Sequence, residues 1–414
     1  MKILHISTSD VGHGAGVSAV RLHDALRSIG CDSTLLVKEK LTDDSSIIAY
    51  EPPPVSWLSR KGRFLSGKAD FLGNYLLPQN YGSITSRTFL RCICDLSPRI
   101  INLHAIHGHK LYFPYGLLPE LSSRAKLVWT LHDMWAFTGH CTYAYECQKW
   151  KTKCNRCPDL KCFVPLILDT TTVNFSLKKK VYQDSSFTVV CPSRWLCELA
   201  KQSPLFQDKH VLYIPYGIDT DVFFPRDKIL ARRWLGIPEG HKVILTVAHD
   251  LLDQRKGFRY FQEGLERARR HLGDTTVLLL GRGGSAHRIA RDYPVHSFGY
   301  ISHSWLLAMI YSAADLLVFP TLADNLPNVV LECMACGTPV VSFDIGGLSD
   351  MIEHGKTGCL AKYRDSDDLK ECIVQMLRDD TMLADASTQS VRKIEAEFAY
   401  RLQADRYLEL YNSL

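Results

Sequence analysis

The sequence predicts an α/β protein built from two parallel-sheet domains. Three observations carry this expectation. Apolar runs of strand length alternate with helix-length segments on both sides of Tyr213-Ile-Pro-Tyr-Gly-Ile-Asp219, a stretch punctuated by Pro and Gly. A glycine turn, Gly12-His-Gly-Ala-Gly16, stands at the end of the first apolar run, where open α/β sheets bind ligands. With 414 residues, 46% of them hydrophobic, the chain can bury more than one core.

Taken in order, Lys2–Ser7 reads as the first strand, the glycine turn leads into a helix through about Ser28, and Thr34–Val37 is the next strand. Residues 41–99 are less regular. Within them Trp57-Leu58 and Phe64-Leu65 alternate with Arg60, Lys61, Arg63 and Lys68. Such a basic amphipathic segment suits either an anionic lipid surface or a helix covering the N-terminal sheet. Strands are expected at Ile100–Leu103, Leu127–Thr130 and Phe187–Cys191. A second series is expected at Val243–Ala248, Thr276–Gly281, Leu316–Pro320 and Pro339–Phe343. The weakly charged stretch Ile301–Ala323 breaks at Ser312-Ala-Ala-Asp315 and reads as a helix then a strand, not a membrane span. Ala396–Tyr411 is a last, apolar-periodic helix.

Composition excludes some classes. A net charge of +5 is mild, which argues against a nucleic-acid binder and suits an anionic ligand or lipid headgroup. The apolar stretch at Met1–Ser7 is too short for a signal peptide, so the 14 cysteines are expected as reduced thiols of a cytoplasmic protein.

The most informative stretch is Thr321–Val341. Asp324 lies in a polar loop after a strand, Pro327 suits the first turn of a helix, Glu332 follows about two turns in, and Gly337 with Pro339 ends the helix. The helix start, with Asn328 and Val329, offers free N–H groups to a phosphate. Two carboxylates eight positions apart accept hydrogen bonds from hydroxyls, so the set suits a nucleotide sugar. An ordinary βαβ unit with solvated acids would also show a lone pair of this kind. Arg255-Lys256-Gly257 follows the second domain's first strand. Cations there would stabilise a departing diphosphate, or form a solvated basic helix start. His132, after the Leu127–Thr130 strand, either hydrogen-bonds a ligand or is structural. Cys141-x5-Cys147-x6-Cys154-x2-Cys157 has four thiols that could hold a structural zinc, with Cys162 as a competing ligand; disulfides and a catalytic metal are the alternatives. Lys149, Lys151, Lys153, Arg156 and Lys161 make this loop basic, but it has few aromatic residues for base stacking.

The stretch around Asp324 and Glu332 resembles the E-x7-E region of the retaining glycosyltransferases of family four, which have the GT-B architecture of two Rossmann-like domains facing a central cleft. The resemblance implies that Asp324, standing where a Glu is usual, contacts the donor sugar and that Glu332 contacts the ribose. Gly14-Ala15-Gly16 resembles the family's "GGA"-like loop near the donor phosphate. Lys256-Gly257 matches half of its "GR…KG" pair, while Ala248-His249 stands where Gly-Arg is expected; Arg255 is therefore taken as the second cation. His132-Asp133 matches the "HD" position facing the sugar. Tyr213–Asp219 with Phe224-Pro225 resembles the segment that closes the first domain. That implies an acceptor-binding domain at 1–218 with the Cys-rich loop 138–163, a donor-binding domain at 219–395, and a helix at 396–414 crossing back.

The Cys-rich loop resembles one recurring in a subset of exopolysaccharide and O-antigen transferases, and the chain resembles bacterial exopolysaccharide, colanic-acid and O-antigen glycosyltransferases. The implied activity is metal-independent and needs no cofactor. It moves a sugar from a UDP- or GDP-sugar to a glycan or lipid-linked acceptor, at the cytoplasmic face of the inner membrane and without nucleic acid. A non-hydrolysing nucleotide-sugar epimerase and a non-catalytic binding protein share the architecture and stay open as alternatives.

Overall fold

The computed structural model describes residues 1–50, 86–107, 113–283 and 289–414, so the basic segment 57–68 lies outside the described residues. Contacts divide the chain into Met1–Pro215 with Ala404–Leu414, and Tyr216–Gln403. The family resemblance implies the corresponding changes at 218/219 and 395/396.

The first unit holds seven parallel strands: β1 (Lys2–Ser9), β2 (Asp32–Glu39), β3 (Ile47–Ala49), β4 (Ile100–Leu103), β5 (Lys126–Thr130), β6 (Phe187–Cys191) and β7 (His210–Tyr213). Their spatial order is β3-β2-β1-β4-β5-β6-β7. Helix Gly14–Ser28 links β1 to β2. The end of the last helix, Tyr400–Ser413, seals this unit: Tyr411 accepts from the Asn102 amide at 2.8 Å, and the Tyr407 and Thr130 hydroxyls meet at 2.8 Å. Asn102 and Thr130 are buried polar groups of adjacent central strands, so the two phenols meet hydrogen-bonding needs that a purely apolar helix would leave open.

The second unit has six parallel strands: β8 (Lys242–Asp250), β9 (Thr275–Arg282), β10 (Val295–Ser297), β11 (Leu316–Phe319), β12 (Val340–Phe343) and β13 (Gly358–Ala361), ordered β10-β9-β8-β11-β12-β13. The period of two along each strand feeds two layers. Val243, Leu245, Leu317 and Phe319 enter one core, and Ile244, Leu316, Val318 and Val341 the other. Both faces are buried, which is why these strands read as unbroken apolar runs. Cys359 of β13 is joined to Cys372 of helix Ser366–Arg378 in a disulfide, so the expectation of uniformly reduced thiols is corrected at this pair. Both residues are buried where the helix packs on the sheet. Among the described residues no helix is long and apolar enough to cross a membrane.

Asp315 anchors the amino end of β11. Its carboxylate accepts from Val243 N–H at 2.8 Å, Arg232 at 2.6 Å and Lys228 at 3.1 Å, tying helix Lys228–Leu235 to the sheet. Removing one partner of a buried ion pair strands the rest. Asp315→Ala should therefore destabilise this unit by about 3 kcal/mol, read from urea unfolding. A loss near zero would show that the anchor is dispensable.

Candidate functional site

Ligand sites of open parallel sheets lie beyond the strands' carboxyl ends, at the point where strand order reverses. In the second sheet this point falls between β8 and β11, because the chain runs outward from β8 through β9 to β10 and then returns. The loops leaving these two strands carry Arg255, Lys256 and Asp324.

Backbone fit brings the loops together. Gln254–Lys256 forms one 3-10 turn, opened by Asp253 accepting from Arg255 N–H at 2.9 Å and closed by Gly257 at φ +68°. A Cβ on Gly257 would stand 1.8 Å from the Pro320 carbonyl oxygen, so a side chain there would push the two loops apart. Leu322 N–H donates to the Arg255 carbonyl at 2.7 Å, and Thr321 Oγ1 lies 3.1 Å from the same oxygen. From the other side, a Cβ on Gly346 would meet the Asp324 carbonyl at 1.9 Å. The loop after β11 is thus gripped along its length.

Within that grip, the Asp324 carboxylate accepts from Lys256 Nζ at 2.7 Å, Thr321 Oγ1 at 3.0 Å and Arg255 Nη1 at 3.2 Å. Arg255 also donates to the Ala323 carbonyl at 2.8 Å and to Asp253 at 3.3 Å. Burial would raise the Asp324 carboxyl, but the Lys256 and Arg255 charges outweigh it and hold the pKa below the ordinary value. Burial lowers the Lys256 ammonium, which must share this anion with Arg255. Two cations and two carboxylates therefore neutralise one another, with Lys256 and Asp324 largely buried and Asp253 open to solvent.

Helix Asn328–Ala335 starts beside this cluster in sequence. Pro327 is its N-cap, one position before the first turn expected for it, and no side chain caps the end. Asn328 and Val329 are half-buried there. Glu332 is the fifth helical residue, so it lies just over one turn in, not two. It is 7% exposed and accepts from the Tyr311 hydroxyl at 3.1 Å. Burial and the Glu332 charge push the Tyr311 phenol well up, so it stays a donor. Tyr311 and Thr321 were not singled out in the sequence. They belong to an apolar helix and a loop, and nothing local marks them as partners of the two acids.

The remaining candidates belong to the other unit. Helix Gly14–Ser28 begins on Gly14, and a Cβ on Gly16 would approach the Ser9 carbonyl to 2.7 Å, so Gly16 seats the helix start on the end of β1. His132 lies two residues beyond β5, half-buried, with its pKa lowered to about 4 chiefly by burial. Its Nε2 stands 3.1 Å from His104 Nδ1. Asp133 accepts from Trp135 N–H at 2.8 Å and faces His107 Nε2 at 3.0 Å.

The Cys-rich loop packs by its own contacts. Buried Trp150 rests on Phe137, Gly139 N–H donates to Cys154 Sγ at 3.2 Å, and His140 Nε2 lies 3.2 Å from Cys157 Sγ. Buried Lys178 donates to the Trp135 and Thr138 carbonyls, and burial pushes it down to about 7. Among the described residues, His23, Asp24 and Asp44 are the only three metal-type ligands within 4.8 Å of one another. Cys141, Cys147, Cys154 and Cys157 are electrostatic neighbours within this loop, although no three of their sulfurs lie within 4.8 Å of one another.

Residues 241–379 match the family model for glycosyl transferases group 1. Over its whole length the chain is similar to WcaC of Escherichia coli (strain K12), a glycosyl transferase provisionally assigned to colanic acid biosynthesis, at 24% identity over 441 residues and 100% of both chains. Sucrose-phosphate synthase from Thermosynechococcus elongatus superposes with a TM-score of 0.69 at 19% identity, covering 100% of this chain and 98% of that one. Anabaena HepE in complex with UDP-glucose superposes at 0.67 and 17% identity, covering 100% of both. The fold is that of the GT-B glycosyltransferases, and the second unit carries a group 1 glycosyltransferase domain.

Asp324 links the site to pH. An unfolded carboxyl titrates near 3.9, and the folded one lies lower. The stability gained from Asp324 is therefore present above about pH 4 and is lost as pH falls through the folded value. Unfolding measured from about pH 5 to about pH 2 should show Asp324→Asn losing less stability with acid than the parent. Equal acid slopes would mean that the cluster leaves Asp324 unperturbed.

Proposed function

We propose that this glycosyltransferase moves a sugar from a nucleoside diphosphate donor to a glycan or lipid-linked glycan acceptor of a surface polysaccharide, with retention at the anomeric carbon. The observation that carries the reading is the placement of Lys256, Arg255 and Asp324 at the β8/β11 reversal, within the group 1 domain, on a loop that leads into the Glu332 helix. Further support comes from the full-length likeness to WcaC and from a structural neighbour that binds UDP-glucose.

In this reading the anomeric C–O bond to the diphosphate breaks while the acceptor hydroxyl approaches the same face. Its proton passes to the departing phosphate oxygen. Negative charge grows on the diphosphate, and Lys256 and Arg255, already fixed by backbone fit, stabilise it without reorganising. Glu332, oriented by Tyr311, accepts from the ribose hydroxyls. The Asn328–Val329 helix start and the Gly14–Gly16 turn offer backbone N–H groups to phosphate. Asp324 keeps the cations in place and meets the sugar, and His132 supplies a hydrogen bond to it. The enzyme's seat at the cytoplasmic face of the inner membrane belongs to the same reading, supported by the mild positive charge.

Incubation with UDP- and GDP-sugars should give slow release of free nucleotide. Lys256→Ala should lower kcat roughly 10²-fold, because it removes an interaction that strengthens as charge develops. Glu332→Gln should weaken nucleotide binding about tenfold by calorimetry, near 1.4 kcal/mol. Isomerised donor in place of released nucleotide, or wild-type turnover in Lys256→Ala, would overturn the assignment.

A further inference from the structure

The first sheet also reverses direction, between β1 and β4, and there three histidines stand in a row: His5 within β1, His104 one residue after β4 and His132 two residues after β5. His5 Nδ1 lies 3.0 Å from His104 Nε2, and His104 Nδ1 lies 3.1 Å from His132 Nε2. His5 and His104 are buried, 0% and 2% exposed, while His132 at the outer end is half-buried. The row therefore runs from the dry interior to the partly open end of β5. Within the first unit no carboxylate is hydrogen-bonded to His5 or His104 among the described contacts.

Chemistry allows this row few states. Burial holds the pKa of His5 and His104 well below 6.5 and that of His132 near 4, so all three rings are neutral at pH 7. A neutral imidazole has one N–H and one bare lone pair. Two contacts near 3 Å between such rings need a proton in each, so the three tautomers are locked as a set. Either every ring carries its proton on Nδ1 and the bonds run outward, His5 to His104 to His132, or every ring carries it on Nε2 and they run inward.

The inner end decides between the two. His5 Nε2 is buried and has no hydrogen-bond partner among the described residues. The inward set would leave an N–H donor stranded there, whereas the outward set leaves only a bare lone pair. Buried unpaired N–H groups are the rarer of the two defects. We infer that His5 and His104 are positioning residues that hold His132 as the Nδ1–H tautomer, with its Nε2 occupied as an acceptor. His132 then acts as a neutral hydrogen-bond donor and not as a base. This rests on the reading of His132 as a sugar-facing residue only for its consequence in transfer, not for the tautomer.

Long-range proton–nitrogen correlation spectra of the full chain with labelled histidine report the tautomer of each ring directly. The expected result at pH 7.5 is Nδ1–H on His132, with Nε2 shifted as a hydrogen-bond acceptor. His104→Leu removes the donor and should release His132 toward the Nε2–H form that free histidine prefers. His104→Asn, whose amide N–H₂ stands near the position of Nδ1, should restore the Nδ1–H form and with it most of the kcat lost in His104→Leu. An Nε2–H signal on His132 in the parent protein overturns the inference even if no variant folds, as does an unchanged tautomer in folded His104→Leu. If instead His132→Ala transfers sugar at the parent rate while the parent spectrum shows Nδ1–H, the functional reading of His132 fails and the tautomer assignment stands.

Discussion

The adjacency of β8 and β11 is the constraint on which the second unit depends. These strands are separated in sequence by β9, β10 and two helices, yet they pair in parallel and send their following loops off the same edge of the sheet. The contact of Gly257 against Pro320 and the bond from Leu322 N–H to the Arg255 carbonyl then fix the loops at van der Waals distance. Side-chain chemistry follows from that backbone fit. Lys256 and Arg255 reach Asp324 because their turn cannot move away from it, and Thr321 reaches both the turn and the acid because it sits at the point of contact. A site built in this way needs little reorganisation when charge develops in it, which is the condition for electrostatic catalysis.

The interior of each sheet was legible in the sequence, and the edges were not. The nine strands expected from apolar runs are all interior ones, their ends differing by a few residues from those observed. The four that went unnoticed, β3, β7, β10 and β13, are the four edge strands. An interior strand of a parallel sheet is covered on both faces and paired on both sides, so it reads as a continuous Val/Ile/Leu run. An edge strand is short, pairs on one side and is partly solvated. His210–Tyr213 and Val295–Ser297 accordingly mix polar and apolar residues with no clear period.

The same physics separates what was legible in the candidate site. Spacing marks the two acids, and the strand-turn-helix context marks the basic turn, because both are local. Their partners are set by register between distant strands. Tyr311 meets Glu332 through helix packing, and His5 meets His104 across 99 residues of sequence. One signal was available in principle: His104 and His132 each follow a predicted strand within two residues, at adjacent strand ends. Recognising it needs the order β1-β4-β5, which the run of strands alone does not give. The cysteines show the same divide. Spacing marks four thiols as a set, while the contacts of Gly139 with Cys154 and of His140 with Cys157 come from loop packing that spacing does not give.

Neutralisation within the β8/β11 corner bears on how such a site can favour the reaction over mere binding. Lys256 and Arg255 are not waiting cations; each already has a carboxylate within hydrogen-bond reach. In the proposed reaction, an incoming diphosphate would share them with Asp324 and Asp253, which would moderate ground-state affinity. As the glycosidic bond breaks, the phosphate gains charge while the carboxylates do not. The balance then shifts toward the leaving group at the moment when stabilisation lowers the barrier. Interactions that strengthen between ground state and transition state raise turnover, whereas uniform ones only tighten binding. The shorter Asp at position 324 fits this logic, since its single methylene keeps the carboxylate close to both cations rather than extended away from them.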